Sequence, residues 1–164
     1  MKNSDFTKSK LHPWDFARKY CKPLFYEGKV LEDYWVDPDG DIWTSKIWRN
    51  FRTLTPQFRN SYPRVTLTDF GKRKHVDMHR LVCSTFHKFP CPNGVTKKEW
   101  KDTPDSVKKL IQNSFQVNHI DHDTYNYHPS NLEWVSVKEN SQKYQEYRVT
   151  NHSYYNSNEF IEAA

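Results

Sequence analysis

The chain has 164 residues, a formal net charge of +5 and a mean hydropathy of -1.01, with 35% hydrophobic and 16% aromatic residues. That length suits one domain, or one domain with small appendages. No apolar run approaches the ~20 residues that cross a bilayer, and MKNSDFTKSKLH carries lysines with no apolar stretch behind them, so neither a membrane span nor a secretory leader is expected.

Aliphatic residues are sparse, but Trp 6, Tyr 10 and Phe 10 compensate. Each buried aromatic removes roughly 150–250 Å² from water, so several small aromatic-rich cores are expected rather than one large one. Cys21, Cys83 and Cys91 form no CxxC pair, which points to free thiols and a reducing cytoplasm. The positive charge is concentrated. Lys46, Arg49, Arg52, Arg59, Arg64, Lys72, Arg73, Lys74 and Arg80 stand against only Asp69 and Asp77 between residues 43 and 80. A basic segment with neutral flanks fits a polyanion, with an ordinary solvated surface as the alternative.

In chain order, Pro13 opens a short helix, PWDFARKY, which ends at Cys21-Lys22-Pro23. Residues 34–80 read as strands. Tyr34-Trp35-Val36 enters the Asp37-Pro38-Asp39-Gly40 turn and returns as Asp41-Ile42-Trp43-Thr44-Ser45, a hairpin. Arg64-Val65-Thr66-Leu67-Thr68 alternates, with Val65 and Leu67 inward, and comes back after Asp69-Phe70-Gly71 as Lys72 to Asp77. Leu81, Val82, Thr85, Phe86 and Phe89 then share one helical face that stops before Pro90. Residues 91–115 look like a helical insertion, with a Thr96/Glu99 capping box and a second helix opened by an N-cap at Thr103 and Pro104. The tail 149–164 has no clear period and is expected to be loose.

The chemistry is concentrated in 116–143, QVNHIDHDTYNYHPSNLEWVSVKENSQK. It reads as a strand to Ile120, a polar loop over 121–131, a return strand Leu132–Val135, and a helix opened by the Ser136/Glu139 capping box. This order brings Asn118 and His119 on a strand toward Asn140 on a helix. A His of ordinary pKa near ~6.5 is mostly unprotonated at neutral pH and can accept a proton. Amide oxygens suit Mg²⁺ or Mn²⁺, which keep waters and take phosphate oxygens as further ligands. His79, Cys83, His87 and Cys91 share a helical face, but a rise of ~1.5 Å per residue spreads them too far to hold one zinc ion, so zinc is not expected.

These residues bring a family into view. Val117-Asn118-His119-Ile120-Asp121, Asn131-Leu132-Glu133-Trp134-Val135 and Glu139-Asn140 together resemble the HNH, or ββα-metal, nucleases, in particular phage-type homing endonucleases. Upstream, Met78-His79-Arg80-Leu81-Val82 with Phe86 is similar to the helix that precedes that motif. Trp35-Val36, Gly40-Asp41-Ile42-Trp43 and Tyr62 to Leu67 are similar to the family's strand-rich DNA-reading segment.

The resemblance implies an α+β fold: an N-terminal antiparallel strand-rich DNA-reading segment followed by a ββα-metal nuclease motif. The implied layout is an N-terminal extension over 1–33, a DNA-binding segment over 34–90, the insertion over 91–115, the nuclease motif over 116–148 and the tail. It also implies roles. His119 is the general base, Asn131 orients that imidazole and braces the loop, and Asn118 and Asn140 hold one Mg²⁺ or Mn²⁺ ion. Arg49, Arg52, Arg64, Lys72, Arg73 and Lys74 are the expected contacts to double-stranded DNA, with Arg64 the best placed for a base edge. Some relatives carry Asp where this chain has Asn118, which removes a charge from the metal position. The implied activity is site-specific, metal-dependent DNA cleavage by a monomer or weak dimer. The alternative is a DNA-binding regulator whose nuclease centre has decayed.

Overall fold

A computed structural model describes residues 13–46, 51–59, 62–69 and 71–159. Helix α1 (Pro13–Tyr20) leads into strands β1 (Lys22–Tyr26), β2 (Lys29–Val36), β3 (Ile42–Thr44) and β4 (Arg52–Thr53), which form one antiparallel sheet in that order. The expected hairpin is β2 and β3, and β2 crosses the expected boundary at residue 33. The segment taken for an extension therefore supplies a helix, a strand and half of another strand to this sheet.

The Asp37–Gly40 turn is held from inside. The buried Asp37 carboxylate accepts the amide N–H of Asp39 and of Asp41, each at 3.0 Å, and the indole N–H of Trp43 at 3.0 Å. Gly40 has a φ of +91°, a conformation that glycine adopts without a steric cost.

The second sheet orders β5 (Gln57–Arg59), β6 (Tyr62–Asp69) and β7 (Lys72–Asp77). Val65, Leu67 and Val76 are buried, as the alternation of β6 predicts. The register pairs Arg64 with Asp77, Thr66 with His75, and Thr68 with Arg73, so these six share the opposite, polar face.

Helix α2 (Met78–Phe86) follows β7 directly and packs against β1, β6, β7 and the two strands that come after the insertion. Its Met78, Leu81, Val82 and Cys83 join Leu24, Val36, Ile42, Val65, Leu67 and Leu132 in one contiguous core. One core is formed, not several, because a single helix is shared by all three sheets. Aromatic clusters flank it: Phe16, Trp43 and Phe51 on one side, and Phe89, Phe115 and Trp134 on another. Phe89 lies beyond the helix end, and its ring sits 4.8 Å from that of Phe115.

Helices α3 (Lys97–Asp102) and α4 (Asp105–Asn113) form the insertion. The Thr96/Glu99 capping box is present in both directions. Thr103 does not cap α4. Its hydroxyl donates back to the Glu99 carbonyl at 2.7 Å, and Pro104 takes the N-cap position with no side-chain bond.

Strands β8 (Phe115–His119) and β9 (Leu132–Ser136) pair antiparallel, with a short 3₁₀ turn at Pro129–Asn131 before β9. Helix α5 (Val137–Glu159) completes the unit and is opened by the Ser136/Glu139 box. The backbone is helical through Glu159, so residues 149–159 continue α5 and are not a loose tail.

Candidate active site

Strand β8 alternates like any strand, and that decides where its chemistry points. Gln116 and Asn118 face α5. The Asn140 side-chain amide N–H donates to Gln116 Oε1 at 2.7 Å, and the Asn118 amide N–H donates to Glu133 Oε1 at 2.8 Å. The Lys143 ammonium from α5 donates to the same Glu133 oxygen. His119 turns the other way, toward α2 and the start of β6. Its ring meets His79 edge to face at 5.1 Å and lies 5.9 Å from Tyr62. The sequence places Asn118, His119 and Asn140 facing one another. The structure instead brings Asn118 and Asn140 to one face of β8 and His119 to the other; Asn118 and His119 lie at the end where the loop begins, and Asn140 meets the strand further back, at Gln116.

Three consequences follow for the side chains. Asn118 and Asn140 each use their amide nitrogen on the protein, and neither amide oxygen accepts a hydrogen bond among the described residues. Glu133 adds a carboxylate directly across from Asn118 in the register. Burial raises its pKa, but hydrogen bonds from Lys143 and Asn118 outweigh this and hold it below the usual carboxylate range. Glu133 is absent from the sequence expectations, although the strand–loop–strand reading places it opposite Asn118.

The Asn118 amide oxygen beside the ionised Glu133 carboxylate fits a hard cation that keeps most of its ligands as water and phosphate oxygen, and Asn140 lies on the same side of β8. No group of three or more His, Cys, Asp or Glu side chains around one metal position occurs among the described residues. The members of the helical His/Cys pattern have other partners. His87 Nε2 lies 2.7 Å from the Pro129 carbonyl, and the Cys91 thiol donates to the Val95 carbonyl. Burial pushes the Cys83 thiol up to about 12.

His119 is buried and its Nε2 has no hydrogen-bond partner, whereas Nδ1 is not closed off in this way. Burial lowers its pKa below the ordinary value, with Asp121 and Asp123 partly opposing, so the ring is neutral at neutral pH. Asn131 does not orient this imidazole. Its Oδ1 accepts the Asp121 amide at 3.0 Å, and its Nδ2 donates to Asp121 Oδ1 and to the Asn126 carbonyl, both at 2.8 Å. These bonds brace the loop. Asp121 and Asp123 are themselves turn braces, accepting the amides of Asp123 and Tyr125 at 2.9 Å.

Among the basic residues, Arg49 lies outside the described residues. Arg52, Lys72 and Arg73 are exposed with no ion pair among the described residues. Arg64 is paired with Asp77, and Lys74 with Glu27 while lying over the Tyr26 ring. The alternation of β7 divides the expected Lys72-Arg73-Lys74 cluster. Arg73 shares the polar face with Arg64, and Lys72 and Lys74 lie on the other.

Residues 77–142 match the family model described as HNH endonuclease. That similarity to the HNH endonuclease family covers about two fifths of the chain. One matching solved structure is that of the HNH homing endonuclease I-HmuI, which binds and cleaves DNA. The identity is 26% and the TM-score 0.52, over 76% of this chain and 57% of that one. This chain thus spans little more than half the length of that homing endonuclease. A search of curated proteins finds no match. The HNH match begins at Asp77, so it takes in α2, β8, the loop, β9 and the opening of α5, and it contains Asn118, His119, Asn131, Glu133 and Asn140. No helix among the described residues is long and apolar enough to cross a membrane.

Proposed function

We propose that this HNH protein is a site-specific, metal-dependent DNA endonuclease of homing type, with His119 as general base and Asn118 and Asn140 holding one divalent cation, Mg²⁺ or Mn²⁺. The observation that carries the reading is the division of β8's end into two faces. Phosphodiester hydrolysis proceeds by in-line displacement, in which the entering and leaving oxygens lie on opposite sides of phosphorus. A neutral imidazole on one face and the free amide oxygen of Asn118 on the other, with Asn140 on that same side, suit a phosphate lying across the strand end.

In the resulting reaction, His119 accepts a proton from water as the water oxygen attacks phosphorus. The P–O3′ bond breaks, the 3′ oxygen leaves and is protonated from solvent, and a 5′ phosphate remains. A bound Mg²⁺ or Mn²⁺ would supply charge stabilisation for the pentacoordinate phosphate and the departing oxygen. Asn131 keeps the loop in place, and Glu133 keeps the Asn118 amide turned so that its oxygen is available.

DNA is the natural polyanion for the polar face of the second sheet. Arg64, Thr66, Arg73 and His75 offer donors and acceptors there, and Tyr62 continues the same face to the His119 ring. Among the described residues, Arg52 and Arg73 carry no ion pair that DNA would have to displace.

The rival reading, a DNA-binding regulator with a decayed centre, has one feature in its favour, the neutral Asn118. One experiment decides between them. Purified protein is incubated with phage and plasmid DNA with and without Mg²⁺, and His119→Ala is run beside it. Cleavage by the wild type that falls by at least ~10²-fold in the variant, with DNA binding retained, is the expected result. Binding without cleavage by the wild type would establish the regulator instead.

A further inference from the structure

Two buried side-chain nitrogens have no hydrogen-bond partner among the described residues: Nδ1 of His79 and Nε2 of His119. They belong to rings that touch. The centroids are 5.1 Å apart and the planes meet at 64°, an edge-to-face contact. Tyr62 packs against both rings, at 4.7 Å from His79 and 5.9 Å from His119, and so limits their rotation.

A neutral imidazole has one N–H donor and one nitrogen acceptor. A buried donor or acceptor left unpaired is costly, so native interiors rarely keep two orphans side by side. Here one orphan satisfies the other if His119 carries its proton on Nε2 and His79 leaves Nδ1 bare. Centroids 5.1 Å apart leave room for these two nitrogens to meet at an ordinary hydrogen-bond length of about 3 Å once the rings turn out of the edge-to-face contact toward each other.

We infer that His79 is a positioning residue for His119: its Nδ1 accepts the Nε2–H of His119, fixing the tautomer that leaves Nδ1 of His119 to take the proton from water. The inference rests on the reading of His119 as general base. The base needs an orienting partner, and Asn131, expected to be that partner, has its oxygen and nitrogen committed to Asp121 and Asn126. His79 also meets a further requirement. Burial, then the neighbouring His119, holds its pKa down to about 4, so at neutral pH it is uncharged and has a lone pair to offer. It reaches the site because α2 begins directly after β7, which points its first turn at the end of β8.

The test reads the tautomer directly. Ring ¹H–¹⁵N correlations of the wild-type protein at neutral pH are expected to show His119 as the Nε2–H form. His79→Leu, which fills the space but accepts nothing, is expected to lose that preference. Its kcat for DNA cleavage should fall about 10–100-fold while KM stays within twofold. His79→Asn, with an amide oxygen at the δ position, is expected to restore the tautomer and most of kcat. An Nδ1–H tautomer in the wild type overturns the inference, and so does a tautomer and a kcat that are unchanged in His79→Leu. The wild-type spectrum needs no variant to fold. It also needs no substrate, so it decides the His79–His119 bond separately from the cleavage assay, and absence of Mg²⁺-dependent cleavage by the wild type would overturn the nuclease reading instead.

Discussion

At the scale of single residues, the site is made of polar groups that are tied on one side and open on the other. Asn118 gives its amide N–H to Glu133. In Asn118→Asp that donor is lost, and a second carboxylate stands opposite Glu133 until a cation comes between them. The variant should therefore melt lower than wild type without metal, gain more Tm on addition of Mg²⁺, and cleave at least as well at low Mg²⁺. A melting curve indifferent to Mg²⁺, together with lost cleavage in a folded variant, would remove Asn118 from the metal position.

His79 predicts a pH dependence of stability. Its pKa is about 4 in the fold against 6.5 for an unperturbed imidazole. The unfolded chain thus binds the extra proton between those values. The stability linked to a neutral His79 is complete above pH 6.5 and is lost as pH falls toward 4. The loss is at most about 3 kcal/mol. The titratable and charged groups around it are His119, Asp77, Arg80 and Arg64, of which only Asp77 favours protonation. Urea unfolding from pH 7.5 to 4 measures the slope, and His79→Leu should flatten it. An equally steep slope in that variant would assign it to other groups.

At the scale of elements, strand alternation overrules charge clustering. In the sequence, Lys72, Arg73 and Lys74 form one basic run. In the sheet, only Arg73 joins the polar face of Arg64, Thr66 and His75, while Lys74 is held by Glu27. Arg73→Ala should weaken DNA binding and flatten its salt dependence by roughly 0.9 in the slope of log K against log salt. Lys74→Ala should leave the slope within error. Equal effects of the two would show that DNA lies across the hairpin end rather than along the sheet face. The strands, α2 and the nuclease motif were legible because their signals are local: the DPDG turn, the Val65/Leu67 alternation, and the capping boxes at Thr96 and Ser136. Partners set by packing were not legible. Nothing local marks β1, the opposed faces of Asn118 and His119, or the meeting of His79 with His119, which requires α2 to be seated on β8.

At the scale of the whole molecule, the N-terminal sheet and the nuclease loop form one body with a tight seam. A Cβ added at Gly40 would lie 2.8 Å from the Tyr127 carbonyl oxygen and 3.2 Å from its ring, and the Tyr127 hydroxyl donates to Asp41 at 3.3 Å. Gly40→Ala therefore has to adopt a positive φ and push the nuclease loop off the β2–β3 turn. It should cost about 1–3 kcal/mol of stability and lower cleavage at temperatures where the protein is still folded. Unfolding curves indistinguishable from wild type would show that the seam gives freely.

The rings of Phe89 and Phe115 meet where the chain leaves for α3 and α4 and where it returns. The excursion between them is thus closed at its base like a drawstring, and its length is not dictated by the span it has to cover. Closure entropy rises only slowly with the number of residues enclosed. For protein engineering this is a docking port: a fluorescent reporter or a second targeting module spliced into the exposed α3–α4 connection would ride on the protein without stretching β8 or β9.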